Sequence, residues 1–254
     1  MAHDPLRGPW LARQLAPARV RVFARLGSTN NYAAHAVEDG DLAAPALIAA
    51  ARQTAGRGQH TNTWWSDGGS LCVTFVLPAD PAIPVGQVPL RAGLAVAEVI
   101  AHHLRGQRVQ VKWPNDVFVG GRKIAGLLCQ RRREADLIGI GVNIATDLRH
   151  APRAVRTRAT SLAAHMRITP PRDAILVEMW HALGMARTDA RWFDAYTDRH
   201  LLHHQPVQVT AGTHTHAGIC RGIDHEGRLV LEENGTTVAL TEGTVTSHAA
   251  PPEV

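Results

Sequence analysis

The stretch Val111-Lys112-Trp113-Pro114-Asn115-Asp116, with Gly120-Gly121 and then Arg122-Lys123-Ile124-Ala125-Gly126 behind it, limits this chain to few folds. Residues 108–111 alternate and end in β-branched valine, so they read as a strand. Pro114 has no N–H to give to a ladder, so that strand must stop or lie at a sheet edge. Val117-Phe118-Val119 continues as a strand, Gly120-Gly121 suits a tight hairpin turn, and Ile124 to Cys129 returns beside it. The predicted hairpin draws Lys112, Asn115, Asp116 and Lys123 into one neighbourhood. Lys112 and Lys123 are the only lysines among 27 basic residues. An Ala- and Arg-rich composition explains why lysine is scarce but not why both lie in one hairpin. Lysine is a compact point charge and arginine a wide planar fork. The two lysines read as positions where the fork will not serve.

At 254 residues and 45% hydrophobic content, the chain can build one large domain and a small one. A net charge of +5 suggests an anionic partner: nucleic acid, nucleotide or an acidic protein surface. Cys72, Cys129 and Cys220 are widely spaced in apolar runs and read as reduced, buried residues of a cytoplasmic protein. The N-terminus lacks the apolar core of a signal peptide. No run approaches the roughly 20 apolar residues of a membrane span.

Residues 1–19 carry three prolines and read as a loose lead-in with at most one short helix. Val20 to Phe23 alternates like a strand. Ser28-Thr29-Asn30 are helix-capping residue types, and capping alone would account for them. The helix they open should run to Glu38. Ala46 to Ala51 and Leu71 to Leu77 read as paired strands. Between them lies Gly56-Arg57-Gly58-Gln59, which is no P-loop because the lysine-hydroxyl ending is missing. Trp64 and Trp65 follow, apolar rings in a polar loop that need something to cover.

Val88 to Leu104 has helical spacing. Residues 136–144 form a strand in which Gly139 and Gly141 leave two side chains missing from one face. That gap could admit a flat ligand or a closely packed strand. Thr169-Pro170-Pro171 opens a helix, with threonine as cap and proline in the first turn, that Gly184 should end, and a second helix over about 190–200 carries Trp192, Phe193 and Tyr196 as core. From residue 206 short strands and turns predict a small antiparallel barrel. His200, His203, His204, His214 and His216 lack the Cys or carboxylate companions of a closed zinc set, so no structural metal is expected.

Together these stretches resemble the biotin protein ligases. The likeness is carried by Ser28-Thr29-Asn30, Gln53 with Gly56-Arg57-Gly58, Lys112 to Asp116, Arg122 to Gly126, Gly139 to Asn143, Ala159-Thr160-Ser161-Leu162, and Gly222-Ile223-Asp224 with Gly227-Arg228-Leu229. It covers about residues 20 to 248. The resemblance implies an α+β fold with a mixed central sheet and flanking helices, of the class II synthetase kind, over 20–204. A small SH3-like barrel would occupy 205–248, with 1–19 as lead-in and 249–254 as a loose tail. It implies ATP and biotin as substrates, Mg2+, and the biotin carboxyl carrier domain of a carboxylase as acceptor.

Lys112, Asp116, Arg57 and Lys123 would be catalytic. Ser28, Thr29, Asn30 and Gln53 would bond biotin's ureido ring, with Arg57, Gly58, Gln59, Lys123, Gly126 and Gly139 completing that site. Arg57, Trp64, Lys112, Asn115 and Asn143 would meet the nucleotide. Residues 55–66 would order over the adenylate and exclude water.

Some family members also repress transcription through an N-terminal DNA-binding domain. Only 27 residues precede Ser28, below the roughly 50 residues of a small domain, so no specific DNA contact is expected. Relatives can pair through edge strands, which makes a homodimer one expected state. Lipoate or octanoate ligases and transferases share the catalytic fold but generally lack the barrel and the Lys-Trp-Pro-Asn-Asp block. A binding-only protein is a further reading, against which both lysines, Arg57 and Asp116 speak.

Most relatives carry a second arginine where this chain has Gln59. A missing cation beside the adenylate should weaken its retention. The native chain is therefore expected to release biotinyl-AMP faster than Gln59→Arg in a direct off-rate comparison, and equal off-rates would remove the idea.

Overall fold

The computed structural model describes residues 5–248. The chain order is α1 (Gly8–Gln14), β1 (Arg19–Phe23), α2 (Thr29–Glu38), β2 (Ala46–Ala50), β3 (Ser70–Pro78), α3 (Val88–His103), β4 (Val109–Lys112), β5 (Asp116–Val119), β6 (Arg122–Arg132), β7 (Ala135–Asn143), α4 (Arg153–Arg156), α5 (Arg172–Thr188) and α6 (Trp192–Arg199). Then come β8 (Pro206–Ala211), β9 (His214–Ile223), β10 (Leu229–Glu233), β11 (Thr236–Leu240) and β12 (Thr244–His248).

The first seven strands form one mixed sheet in the order β1-β2-β3-β7-β6-β5-β4. β1 runs parallel to β2, and the other neighbours are antiparallel. The two-residue period of a strand sends alternate side chains to opposite faces. Leu47, Ala49, Leu71, Val73, Phe75, Ile138 and Ile140 pack with α1, α3 and α5. Ala46, Ile48, Val76 and Leu137 pack on the other face against Ala33, Ala36 and Val37 of α2. Gly139 and Gly141 share the parity of Leu137, so they lie on the α2 face beyond the helix.

Pro114 sits in the turn between β4 and β5 at the sheet edge, where its missing N–H interrupts no ladder. Gly120 and Gly121 have φ of 55° and 71°, the left-handed geometry that a two-residue hairpin requires.

Three expectations are corrected. The lead-in is not loose where it is described: Leu11 and Leu15 of the α1 region are fully buried, and Arg7 Nε donates to Asp173 at 2.6 Å. Pro9 falls in the first turn of α1, where a lost N–H costs nothing. Helix α5 continues through Gly184 to Thr188 and has no side-chain cap from Thr169. A mid-helix glycine costs about 1 kcal/mol, and the buried Leu183 and Ala186 on either side offset it. The C-terminal strands form an antiparallel sheet in the order β11-β10-β9-β8-β12, and its edges β11 and β12 are not paired with each other. No closed barrel is formed among the described residues. Strand β12 was not expected from the sequence. The expected tail, 249–254, lies outside the described residues.

The two sheets are joined behind the β4–β5 hairpin. Leu201 N–H donates to Val111 O at 2.8 Å, Trp113 Nε1 to Gly227 O at 3.1 Å, and Gln87 Nε2 to His225 O at 2.5 Å. His200 is buried at this joint against Tyr196, with ring centroids 5.3 Å apart. Neither of its ring nitrogens meets a partner among the described residues. No helix among the described residues is long and apolar enough to cross a membrane.

Burial pushes the His200 pKa down to about 3, with the His203 charge adding to the effect. The unfolded value is about 6.5. Above that pH both states are neutral, and His200 contributes nothing. Below it unfolding takes up a proton, so stability should fall with falling pH by about 1.4 kcal/mol per unit from this group. Urea unfolding between pH 7 and 5 should show a steeper slope in the native chain than in His200→Gln. Identical slopes would show that the imidazole is not held neutral.

Candidate functional site

On the α2 face a cavity of about 370 Å³ opens beside the helix. Ser28, Thr29 and Asn30 reach it from the start of α2. Gln53, Arg57, Gly58, Gln59 and Trp64 reach it from the β2–β3 loop, and Lys112, Asn115 and Asp116 from the β4–β5 turn. Lys123 and Gly126 of β6, with Gly139, Gly141 and Asn143 of β7, complete its floor. The cavity also takes in Arg158 and Gly243 to Val245, which sequence reasoning missed. Arg158 has no local signature in an arginine-rich chain, and the last three depend on β12.

One end of the cavity is neutral and polar. Ser28 is the N-cap of α2, its Oγ accepting from Asn31 N–H at 3.4 Å. Thr29 donates to Gln53 Oε1 from its N–H at 2.8 Å and from its hydroxyl at 3.1 Å, and Thr74 Oγ1 donates to Thr29 Oγ1 at 2.9 Å. Asn30 Nδ2 donates to Leu128 O at 3.0 Å. Its Oδ1 is left buried with no partner among the described residues. A buried acceptor without a donor costs about 1–3 kcal/mol, so this end calls for an N–H.

The other end is cationic. Lys123 Nζ lies 2.6 Å from Asp116 Oδ1. Half-buried Lys112 has its ammonium pKa lowered, chiefly by desolvation; Asp116 opposes this, and Lys123 and Arg158 add to it. Arg57 Nη1 donates to Asn31 Oδ1 at 2.9 Å, tying the loop to the first turn of α2. Asn115 Nδ2 donates to Leu127 O at 2.5 Å and Asn143 Nδ2 to Thr160 O at 2.9 Å. Both asparagines thus use their amide N–H groups to hold main chain. Residues 158–160 pair with Lys123: its N–H donates to Arg158 O at 2.8 Å, and its carbonyl accepts from Thr160 N–H at 2.9 Å. The Ala159-Thr160 stretch therefore fixes where Lys123 stands.

Gly126 and Gly141 face each other across β6 and β7, and the Trp64 indole lies on them. A Cβ on Gly126 would stand 3.2 Å from Trp64 Cζ3 and 2.9 Å from Lys123 Nζ, and one on Gly141 would overlap the indole. A Cβ on Gly139 would meet the Asn30 amide at 3.1 Å. The strip opened by missing side chains is thus covered by this chain's own Trp64 and Asn30. A flat ligand reaching the floor must move the indole. Trp64 Nε1 is buried with no partner among the described residues, so little polar bonding holds the ring there. Lys123 Nζ sits 5.8 Å from its centroid, a cation–π contact.

Hydroxyls and amides, a flat floor and clustered cations suit a ligand with a neutral polar head and an anionic end, next to a polyanion. Fixed charge of this kind stabilises negative charge as it develops.

Residues 22–147 match the family model of the biotin/lipoate A/B protein ligase family. The chain is 34% identical over 238 residues to the biotin–[acetyl-CoA-carboxylase] ligase of Mycobacterium tuberculosis, over 88% of this chain and 87% of that protein. It is 30% identical over 236 residues to the ligase of the same name from Paracoccus denitrificans, over 83% and 92% respectively. Its fold is similar to that of the biotin protein ligase from Aquifex aeolicus in complex with biotin and ATP, with a TM-score of 0.78 at 22% identity, over 92% of this chain and 99% of that one.

Gly141→Ala should expel the Trp64 indole from the floor. The expected readout is a red shift in tryptophan emission that is absent when the same change is made in a Trp64→Phe background. An unshifted spectrum would mean that the ring does not rest on this glycine.

Proposed function

The chain belongs to the biotin protein ligase family, and we propose that it joins biotin to ATP and passes the biotinyl group to a lysine of a biotin carboxyl carrier domain. In the first step a biotin carboxylate oxygen attacks the α-phosphorus. The bond to the bridging oxygen breaks, its electron pair leaves with pyrophosphate, and biotinyl-5′-AMP remains. In the second, the acceptor amine attacks the biotinyl carbonyl, AMP leaves, and one proton is released.

The observation that carries this reading is the polarity of the cavity. An unpartnered buried Asn30 Oδ1 stands at its neutral end and the Lys112–Asp116–Lys123 cluster at the other. Asn30 Oδ1 would accept from a ureido N–H, beside the hydroxyls of Ser28 and Thr29 and the Gln53 amide. Lys123 would meet the carboxylate. Lys112 and Arg57 would offset phosphate charge, which otherwise keeps two anions apart. Asp116 holds Lys123 in place and is suited to accept the proton from the incoming amine. Trp64 would close over the ligand once displaced from the floor.

Mg2+ would enter on the ATP phosphates. Asp116 is the carboxylate that lines the cavity, and no group of three or more metal-ligating side chains occurs among the described residues. Phosphate oxygens and water are the usual partners in such a site. In this reading residues 20–204 are the catalytic unit and 205–248 the family's small SH3-like module, whose β12 reaches the cavity rim. A cytoplasmic location suits the free Cys72, Cys129 and Cys220.

Pyrophosphate release should require biotin and not be supported by lipoate. Lys112→Met and Lys123→Met should each lower adenylate formation by about 10²-fold or more. Lipoate-driven release, or undiminished rates in both variants, would overturn the assignment.

A further inference from the structure

One cation at the cavity has no part in the reaction as assigned so far. Arg158 lines the cavity at its solvent-exposed rim. Its guanidinium makes no hydrogen bond or ion pair with another described residue, whereas Arg57 is tied to Asn31 and Lys123 to Asp116.

Its backbone is well fixed. The carbonyl accepts from Lys123 N–H at 2.8 Å, the N–H donates to Val155 O at 3.0 Å, and the adjoining Ala159 pairs with Lys123. A free fork thus projects from a firm base next to the lysine at the centre of the site. Arg158 also acts on Lys112, adding to the depression of that ammonium. Of the residues lining the cavity Arg57, Lys112, Lys123 and Arg158 are cationic, and Asp116 alone is anionic. That surplus exceeds what one carboxylate and one α-phosphate would neutralise. A planar guanidinium bonds two oxygens of a phosphate at once, which an ammonium cannot do with the same geometry.

We propose that Arg158 binds the β- and γ-phosphates of ATP, and so holds the departing pyrophosphate at the rim while Lys112 and Lys123 serve the reacting end. The proposal rests on the ATP-dependent reading above. Arg158 exchanges no proton in the step. The electron pair of the broken phosphorus–oxygen bond stays on pyrophosphate, and Arg158 offsets the charge that arrives there.

The test compares the full chain with Arg158→Gln and Arg158→Lys. Arg158→Gln should raise the KM for ATP and the inhibition constant of tripolyphosphate by about tenfold, with Arg158→Lys in between. The Kd for biotin, measured by calorimetry without ATP, should stay within about twofold of the native value, since no neutral contact is lost. Equal losses in biotin and ATP affinity would mean that Arg158 only props Lys123, and would overturn the proposal. So would a change confined to the KM for the carrier protein, which would assign the fork to the acceptor. Direct calorimetric binding of tripolyphosphate separates this proposal from the reading beneath it. Weakening in Arg158→Gln supports a phosphate site even if biotin drives no pyrophosphate release, and unchanged binding refutes it even if biotin does.

Discussion

Like charges gathered in a partly desolvated cleft repel one another, and the rest of the molecule is arranged around holding them there. Lys112, Lys123, Arg57 and Arg158 line one cavity with a single carboxylate, Asp116. The contact of 2.6 Å between Asp116 and Lys123 relieves only part of that repulsion. Backbone bonds hold the remainder in place. Asn115 bonds β6 from both its side chain and its carbonyl, Arg158 and Thr160 clamp Lys123, and the Trp113 indole ties the hairpin to the second sheet. Each is a local bond of modest net value, about 1 kcal/mol. Together they restrain side chains that electrostatics alone would drive apart.

The glycine floor answers a second constraint. A ligand with a flat head and a charged end needs backbone approach at the head and side-chain reach at the end. In the proposed function Gly126, Gly139 and Gly141 would supply the first, and Lys123 and Asn143, a few residues away, the second. Trp64 links the two ends, because its ring touches the floor while Lys123 Nζ lies over it. Loop order, floor occupancy and the environment of the central lysine are therefore coupled through one side chain.

Much of the site was legible in the sequence because its chemistry is written in short stretches. Ser28 before an amphipathic helix reads as a cap and is one. Pro114 reads as an edge and lies at one, and the Gly120-Gly121 turn follows from the φ values that glycine tolerates. Arg158 was not legible, because nothing in the residues around it distinguishes it from the other arginines. Its place beside the cavity comes from pairing with Lys123, which lies in a different segment. Nor was the burial of Leu11 and Leu15, since three nearby prolines outweigh two leucines in any reading of composition.

What the sequence determined alone was of short range: the proline break, the glycine turn, the helix cap, the alternation that sends each strand's residues to two faces, and the isolation of two lysines in one hairpin. What only the tertiary structure decided was of long range. It laid Trp64 across Gly126 and Gly141, brought Arg158 to the rim, and left β11 and β12 unpaired with each other among the described residues. Those arrangements depend on strand register and on which distant segments pack together. Register is chosen by the sum of contacts over a whole sheet, so no single stretch of residues could announce it.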